Sequence, residues 1–76
     1  MLSQIEIHVI EKIKELRVQN QMSQAEFAFI LDVSASFIGK VESSKMNSKY
    51  NLIHINKIAN HFNVSPRIFL PEKAFE

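Results

Sequence analysis

Hydrophobic residues recur at intervals of three and four along most of the chain, the spacing that places them on one face of an α-helix. In the first segment, this face is formed by Ile5, Val9, Ile10, Ile13 and Leu16. Ser3 and Glu6 have the spacing of a capping box, in which both side chains accept hydrogen bonds from backbone N–H groups at the start of a helix. The pattern predicts a first helix that begins after Ser3 and fades in the polar stretch 19–21.

Two shorter amphipathic segments follow and meet at the break Asp32-Val33-Ser34. The first opens with a second capping box, Ser23 to Glu26, and Ser34 has the N-cap position of the next. Asp32 stands at the corner, where we expect a left-handed backbone that aspartate tolerates better than most residues. Apolar residues that would turn inward if two helices crossed steeply are Phe27, Ala28, Leu31, Val33, Ile38 and Val41. The pattern is that of a helix-turn-helix over residues 23–43.

The remainder of the chain predicts a polar loop and two more helices. Residues 43–50 have no helical period, and either Ser48 or Asn51 has the position of the next N-cap. The apolar stripe of the fourth helix is Leu52, Ile55, Ile58, Ala59 and Phe62. Ser65 and Pro66 begin a short fifth helix that ends near Leu70, followed by a tail, 71–76. We therefore expect an all-α fold, a compact bundle of five helices that forms one domain over 1–76.

Composition narrows the class of protein. The 76 residues include no cysteine, so disulfides and thiolate metal sites are excluded. No apolar run has the length of a membrane span and no basic leader precedes one, which predicts a cytoplasmic protein. Net charge is only +1, but residues 33–66 carry four lysines against one glutamate, a net +3. This charge fits either a phosphate-contacting surface or an ordinary solvated one.

Catalytic and metal chemistry find little support in the sequence. His54 and His61 lie seven residues apart on the fourth helix, too far to share a metal ion, and His8 is elsewhere. The serines lack the histidine and acid spacing of a nucleophilic triad. We expect no enzyme activity, no metal and no cofactor.

The order of these segments resembles the phage-repressor/Cro-like helix-turn-helix family, also called XRE. The likeness is carried by Met22-Ser23-Gln24-Ala25-Glu26-Phe27-Ala28, Leu31-Asp32-Val33-Ser34 and Phe37-Ile38-Gly39-Lys40-Val41-Glu42, and extends over roughly residues 7 to 70. It implies a lambda-repressor-like bundle whose third helix, about 34–43, reads the major groove of double-stranded DNA. Where the family often has glycine in the turn, this chain has Asp32.

The resemblance also implies residue roles. Base edges would be met from Ala35, Ser36, Gly39 and Lys40. Phosphates would be held by Arg17, Gln24, Ser43, Lys45 and Asn47. Two further phosphate contacts follow from the residues themselves: Ser34, because it lies at a helix N-terminus, and Lys49, because it belongs to the basic loop that starts at Lys45. Arg17 and Glu42 match a pair of positions that often form an ion pair. Lys40 is the one long donor on the reading helix and suits guanine or a phosphate equally. Glycine at 39 would let the helix lie closer to DNA.

Two functions remain open from the sequence. The first is a sequence-specific DNA-binding transcriptional regulator, repressor-like, acting as a homodimer on a palindromic site. The second is a protein-interaction module, such as the antitoxin of a toxin–antitoxin pair, in which DNA binding is secondary. Candidate surfaces for a second copy or another protein are Ile7, Phe29, Ile30, Phe69 and Phe75, among which the sequence does not choose.

Overall fold

The computed structural model describes residues 1–43 and 46–76. This part of the chain forms four α-helices and one 3-10 helix: α1 Gln4–Gln19, α2 Gln24–Leu31, α3 Ala35–Ser43, α4 Leu52–Phe62 and the 3-10 helix Pro66–Phe69. Lys45, one of the expected phosphate contacts, lies outside the described residues. None of the helices in the described ranges is long and apolar enough to cross a membrane.

The fifth helix differs from the expected α-helix. Its four residues, Pro66–Phe69, form a 3-10 helix in which the amides of Ile68 and Leu70 donate to the carbonyls of Ser65 and Arg67, three residues earlier. The segment begins with a proline, and Pro71 prevents its continuation, so only one tight turn fits between them. The architecture of residues 1–43 and 46–76 is therefore four α-helices and a 3-10 turn.

Helix starts lie where side-chain caps satisfy the first backbone amides. Ser3 Oγ accepts from the Glu6 amide at 3.3 Å and Ser23 Oγ accepts from the Glu26 amide at 3.0 Å, which confirms both predicted capping boxes. The fourth helix is capped by Asn51, not by Ser48. There His54 completes the box, because its Nδ1 atom accepts from the Asn51 amide at 3.1 Å.

Two of the helices, α2 and α4, end on left-handed residues. Asp32 has φ 57° and ψ 46°, as expected for the corner between α2 and α3, and Asn63 ends α4 with φ 55° and ψ 47°. The Val33 amide then donates to the Ala28 carbonyl at 3.1 Å, which closes the end of α2. Lys57 of α4 reaches the same corner, where its Nζ donates to the Leu31 carbonyl at 3.4 Å. These bonds fix the turn between the two helices.

The core joins all five elements, and its largest fully buried side chains are Ile13, Phe27, Leu31, Ile38, Val41, Ile58 and Phe69. Three expectations are wrong here. Ile5 and Leu52 were expected on inward faces but are exposed, since both lie in the first two positions of a helix, beyond the neighbouring elements. Phe69 was expected on a partner surface but is buried, because the 3-10 turn directs it between α1 and α4.

Candidate nucleic-acid interface

The outer surface of α3, which we call the α3 face, consists of Ala35, Ser36, Gly39 and Lys40. Ala35, Ser36 and Lys40 are exposed and Gly39 is half-buried, while Ile38 and Val41 on the opposite side are in the core. Ser34 Oγ accepts from the Phe37 amide at 3.0 Å and so caps the helix. The face thus has small side chains, with Lys40 as its one cation.

Glu42 ties α1 and α2 to the end of α3. Its carboxylate accepts from Arg17 Nε at 2.7 Å and from Arg17 Nη2 at 2.8 Å. The remaining terminal nitrogen of Arg17, Nη1, donates to the Met22 carbonyl at 2.6 Å. These side chains are largely buried, Arg17 at 12% and Glu42 at 4% exposure, and the hydrogen bonds to Glu42 raise the pKa of Arg17 above its ordinary value.

Arg17 therefore orients the helices more than it offers a free charge. Three of its five N–H donors lie in these internal bonds. Gln24 belongs to the same network, because its Nε2 atom donates to Glu42 Oε1 at 3.1 Å while the residue itself stays exposed. Of the expected phosphate-holding residues, Gln24 lies beside the α3 face, whereas the Arg17 side chain is largely buried.

The segment after α3 contributes fewer open groups than expected. Asn47 is exposed, but Lys49 Nζ forms an ion pair with Glu6 Oε2 at 2.7 Å. Hydrogen bonds from Lys49 and from Ser3 lower the pKa of Glu6 to about 2. Ser43, the last residue of α3, donates from its Oγ to the Lys40 carbonyl at 2.9 Å. Lys49 thus anchors this segment to the start of α1, and a phosphate would have to compete with Glu6 for it.

An aromatic cluster supports α3 from behind and was missed at the sequence level. The ring of Phe37 lies 6.3 Å from Tyr50 and 5.4 Å from His54, and the latter two are 6.0 Å apart. Within the described residues the buried Tyr50 hydroxyl has no hydrogen-bond partner, and burial raises its pKa. Burial, with a smaller contribution from Lys57, lowers the pKa of His54. The four-residue spacing of Tyr50 and His54 was the one available signal.

The residues expected on a partner surface differ in exposure. Phe29 is 88% exposed, Ile7 and Ile30 are half-buried, and Phe75 lies with its ring 6.1 Å from that of His8. Leu52 and Ile53 form an exposed apolar pair at the start of α4 that the periodicity did not reveal. In residues 1–43 and 46–76, no three His, Asp or Glu side chains could hold a metal ion together.

Comparison with known protein families identifies the family of this domain. The family model described as helix-turn-helix, HTH_3, matches residues 13–69, three quarters of the chain. The chain belongs to this XRE-type helix-turn-helix family. It is thus an all-α, DNA-binding type of domain, as the resemblance implied.

Two solved structures share the fold. The restriction-modification controller protein C.AhdI from Aeromonas hydrophila superposes with a TM-score of 0.68 and 28% identity, over 84% of this chain and 94% of that one. HppE, crystallised with Co(II) and its substrate, superposes with a TM-score of 0.73 and 20% identity. The match covers 90% of this chain but 37% of HppE, so it concerns the fold alone. A search of curated proteins gave no match.

Proposed function

We propose that this helix-turn-helix domain is a sequence-specific DNA-binding protein of the cytoplasm that regulates transcription as a repressor-like homodimer. In this function α3 enters the major groove with Ala35, Ser36, Gly39 and Lys40 toward the base edges. The observation that carries the proposal is the α3 face itself. Three of its four residues are exposed, its side chains are small except for that of Lys40, and Glu42 links its helix to Gln24 of α2 and to Arg17 of α1.

Phosphate contacts would surround this face. Gln24 and the Ser34 cap stand at the N-termini of α2 and α3, where backbone N–H groups favour an anion. Ser43 at the end of α3, and Lys45 and Asn47 after it, would add further contacts. Arg17 and Lys49 would contribute mainly by orientation, since Glu42 and Glu6 already engage their charges. The likeness to a restriction-modification controller protein supports a regulatory role over an enzymatic one.

A second candidate is a protein-interaction module, such as an antitoxin that also binds DNA. It is favoured by the exposure of Phe29, whose ring lies on the outer side of α2. Co-purification with a second chain that is lost in Phe29→Ser, with the fold retained, would support it.

Gel-shift titration at several salt concentrations tests the DNA-binding proposal. Affinity falls with salt in proportion to the phosphates neutralised, so the Lys40→Ala and Lys45→Ala double variant should bind more weakly. The slope of log affinity against log salt concentration should become shallower by about one for each phosphate that the variant no longer neutralises. Lys14→Ala, which removes an exposed cation of α1, is the matched control and should change neither affinity nor slope. Equal affinity of the double variant and the native protein for every duplex would overturn the proposed face.

A further inference from the structure

Gln24 belongs to α2, but its side-chain amide lies over α3. Its Nε2 atom donates to Glu42 Oε1 at 3.1 Å. Its Oε1 atom lies 3.5 Å from the place that a Cβ atom of Gly39 would occupy. Because residue 39 is glycine, α3 has no side chain of its own at this position. The amide of Gln24 lies beside the space that such a side chain would fill.

The orientation of this amide follows from its partner. Both oxygens of the Glu42 carboxylate accept hydrogen bonds from Arg17, and an ionised carboxylate offers only acceptors to a neighbouring group. The amide atom that faces Glu42 must then be the nitrogen, and the oxygen must be the atom that faces Gly39. Within the described residues Gln24 Oε1 accepts no hydrogen bond, and the side chain is exposed. The α3 face therefore presents an oriented acceptor that belongs to α2.

A hydrogen-bond acceptor can bind the amino group of a base but not a phosphate oxygen. Phosphate oxygens are themselves acceptors, whereas the amino groups of adenine N6 and cytosine N4 are donors in the major groove. The side chains of α3 discriminate such donors weakly, since Ala35 and Gly39 have no polar side-chain atoms, Lys40 only donates, and the Ser36 hydroxyl both donates and accepts. We propose that Gln24 determines specificity, its Oε1 accepting from the amino group of adenine or cytosine. This inference rests on the proposed DNA-binding function and assigns Gln24 a role beyond the phosphate contact.

Selection from a random duplex library, followed by affinity measurement on the enriched site and its single-base variants, tests this role. Gln24→Met keeps the length of the side chain and removes the acceptor. The preference for an amino-bearing base at one position of each half-site should fall roughly tenfold, with the other positions unchanged. Gln24→Lys keeps a donor near Glu42 and phosphate but presents no acceptor. Its preference at the same position should move to guanine, whose major-groove edge offers the acceptors O6 and N7.

Gln19→Met, at the exposed end of α1, is the control for the substitution itself and should select the native motif. Circular dichroism checks that each variant keeps its helices. A native motif in both Gln24 variants, with at most a uniform change in affinity, would overturn the inference and leave the DNA-binding proposal intact. Failure of the unaltered protein to enrich any sequence would instead overturn the proposed function, and this inference with it.

Discussion

At the residue scale, two phenylalanines that both have isoleucine and leucine close by in the sequence differ completely in exposure. Phe69 is 1% exposed between α1 and α4, whereas Phe29 is 88% exposed on α2. We expect Phe69→Ala to lower the free energy of unfolding by about 3–5 kcal/mol, because it leaves a cavity in the core. Phe29→Ala should change it by less than about 0.5 kcal/mol, as is usual for an exposed position. Urea denaturation of the two variants measures both. Equal losses would mean that Phe29 is covered in solution, by a second copy or another chain.

Gly39 is the one glycine of the chain, and its backbone does not require a glycine. Its φ is not positive, and an added Cβ would meet Gln24 Oε1 at 3.5 Å, an ordinary contact distance. Gly39→Ala should therefore stabilise the fold by about 0.5–1 kcal/mol, since alanine loses less backbone entropy in a helix. Thermal unfolding followed by circular dichroism gives the sign. A lower midpoint in the alanine variant would show that the Gln24 amide cannot adjust.

At the scale of single elements, α4 has an unusual cap that makes its start sensitive to pH. His54 Nδ1 accepts from the Asn51 amide only while the imidazole is neutral. Burial and Lys57 lower the pKa of His54 in the folded state, so the unfolded chain binds the proton more readily. The stability due to neutral His54 is thus complete above a pH of about 6.5, the ordinary histidine pKa, and is lost as pH falls through the lowered value.

We expect the thermal unfolding midpoint to decrease as pH falls below about 6.5, the ordinary histidine pKa, and the comparison is made above pH 4.5, the ordinary glutamate value. His54→Gln should reduce this fall, because glutamine in the capping box accepts without titrating. His61→Gln, an exposed position on the same helix, should behave as the unaltered protein. Glu6 does not interfere in this range, since its lowered pKa of about 2 places the corresponding loss below pH 4.5. Coincident pH curves for His54→Gln and the native protein would contradict the assignment.

The elements themselves were largely predictable because their signals are local. Ser3 and Ser23 satisfy amides three residues ahead, and Asp32 takes the left-handed corner, so a few adjacent residues decide each boundary. The exposure of a residue, in contrast, depends on how the helices pack together and not on the adjacent sequence. Leu52 fits the apolar stripe of α4 yet lies before the point where that helix meets its neighbours. His54 was missed as a capping residue because the usual partner at that position is glutamate or glutamine.

In the candidate site, too, some features follow from the local sequence and others depend on residues distant along the chain. The α3 face was predictable from the helix-turn-helix motif, because the second helix of that motif is the one that presents an exposed face. What the polar groups there do depends on partners distant in sequence. Glu42 engages Gln24 across 18 residues, and Lys49 lies against Glu6 of the first helix. Neither the orientation of the Gln24 amide nor the pairing of Lys49 follows from spacing along the chain.

At the scale of the whole molecule, one copy is small beside its proposed target. The chain measures 35 × 28 × 21 Å, and one turn of DNA is about 34–36 Å long. Two copies side by side would therefore place their α3 faces in successive major grooves on one side of the duplex. A single copy offers few cations near α3, so binding of useful affinity would depend on both half-sites together.

We expect an operator with two half-sites about one helical turn apart to bind two chains together. Inserting about five base pairs turns the second half-site to the opposite side of the duplex, where the same dimer cannot reach it. Affinity should then fall by about 100-fold or more, toward that of an isolated half-site, because the second contact no longer has a high effective concentration. Gel-shift titration of both duplexes, with chain stoichiometry from sedimentation, measures this loss. Unchanged affinity on the lengthened operator would show that each copy binds alone, and that the exposed apolar residues on α2 and α4 do not join two copies on DNA.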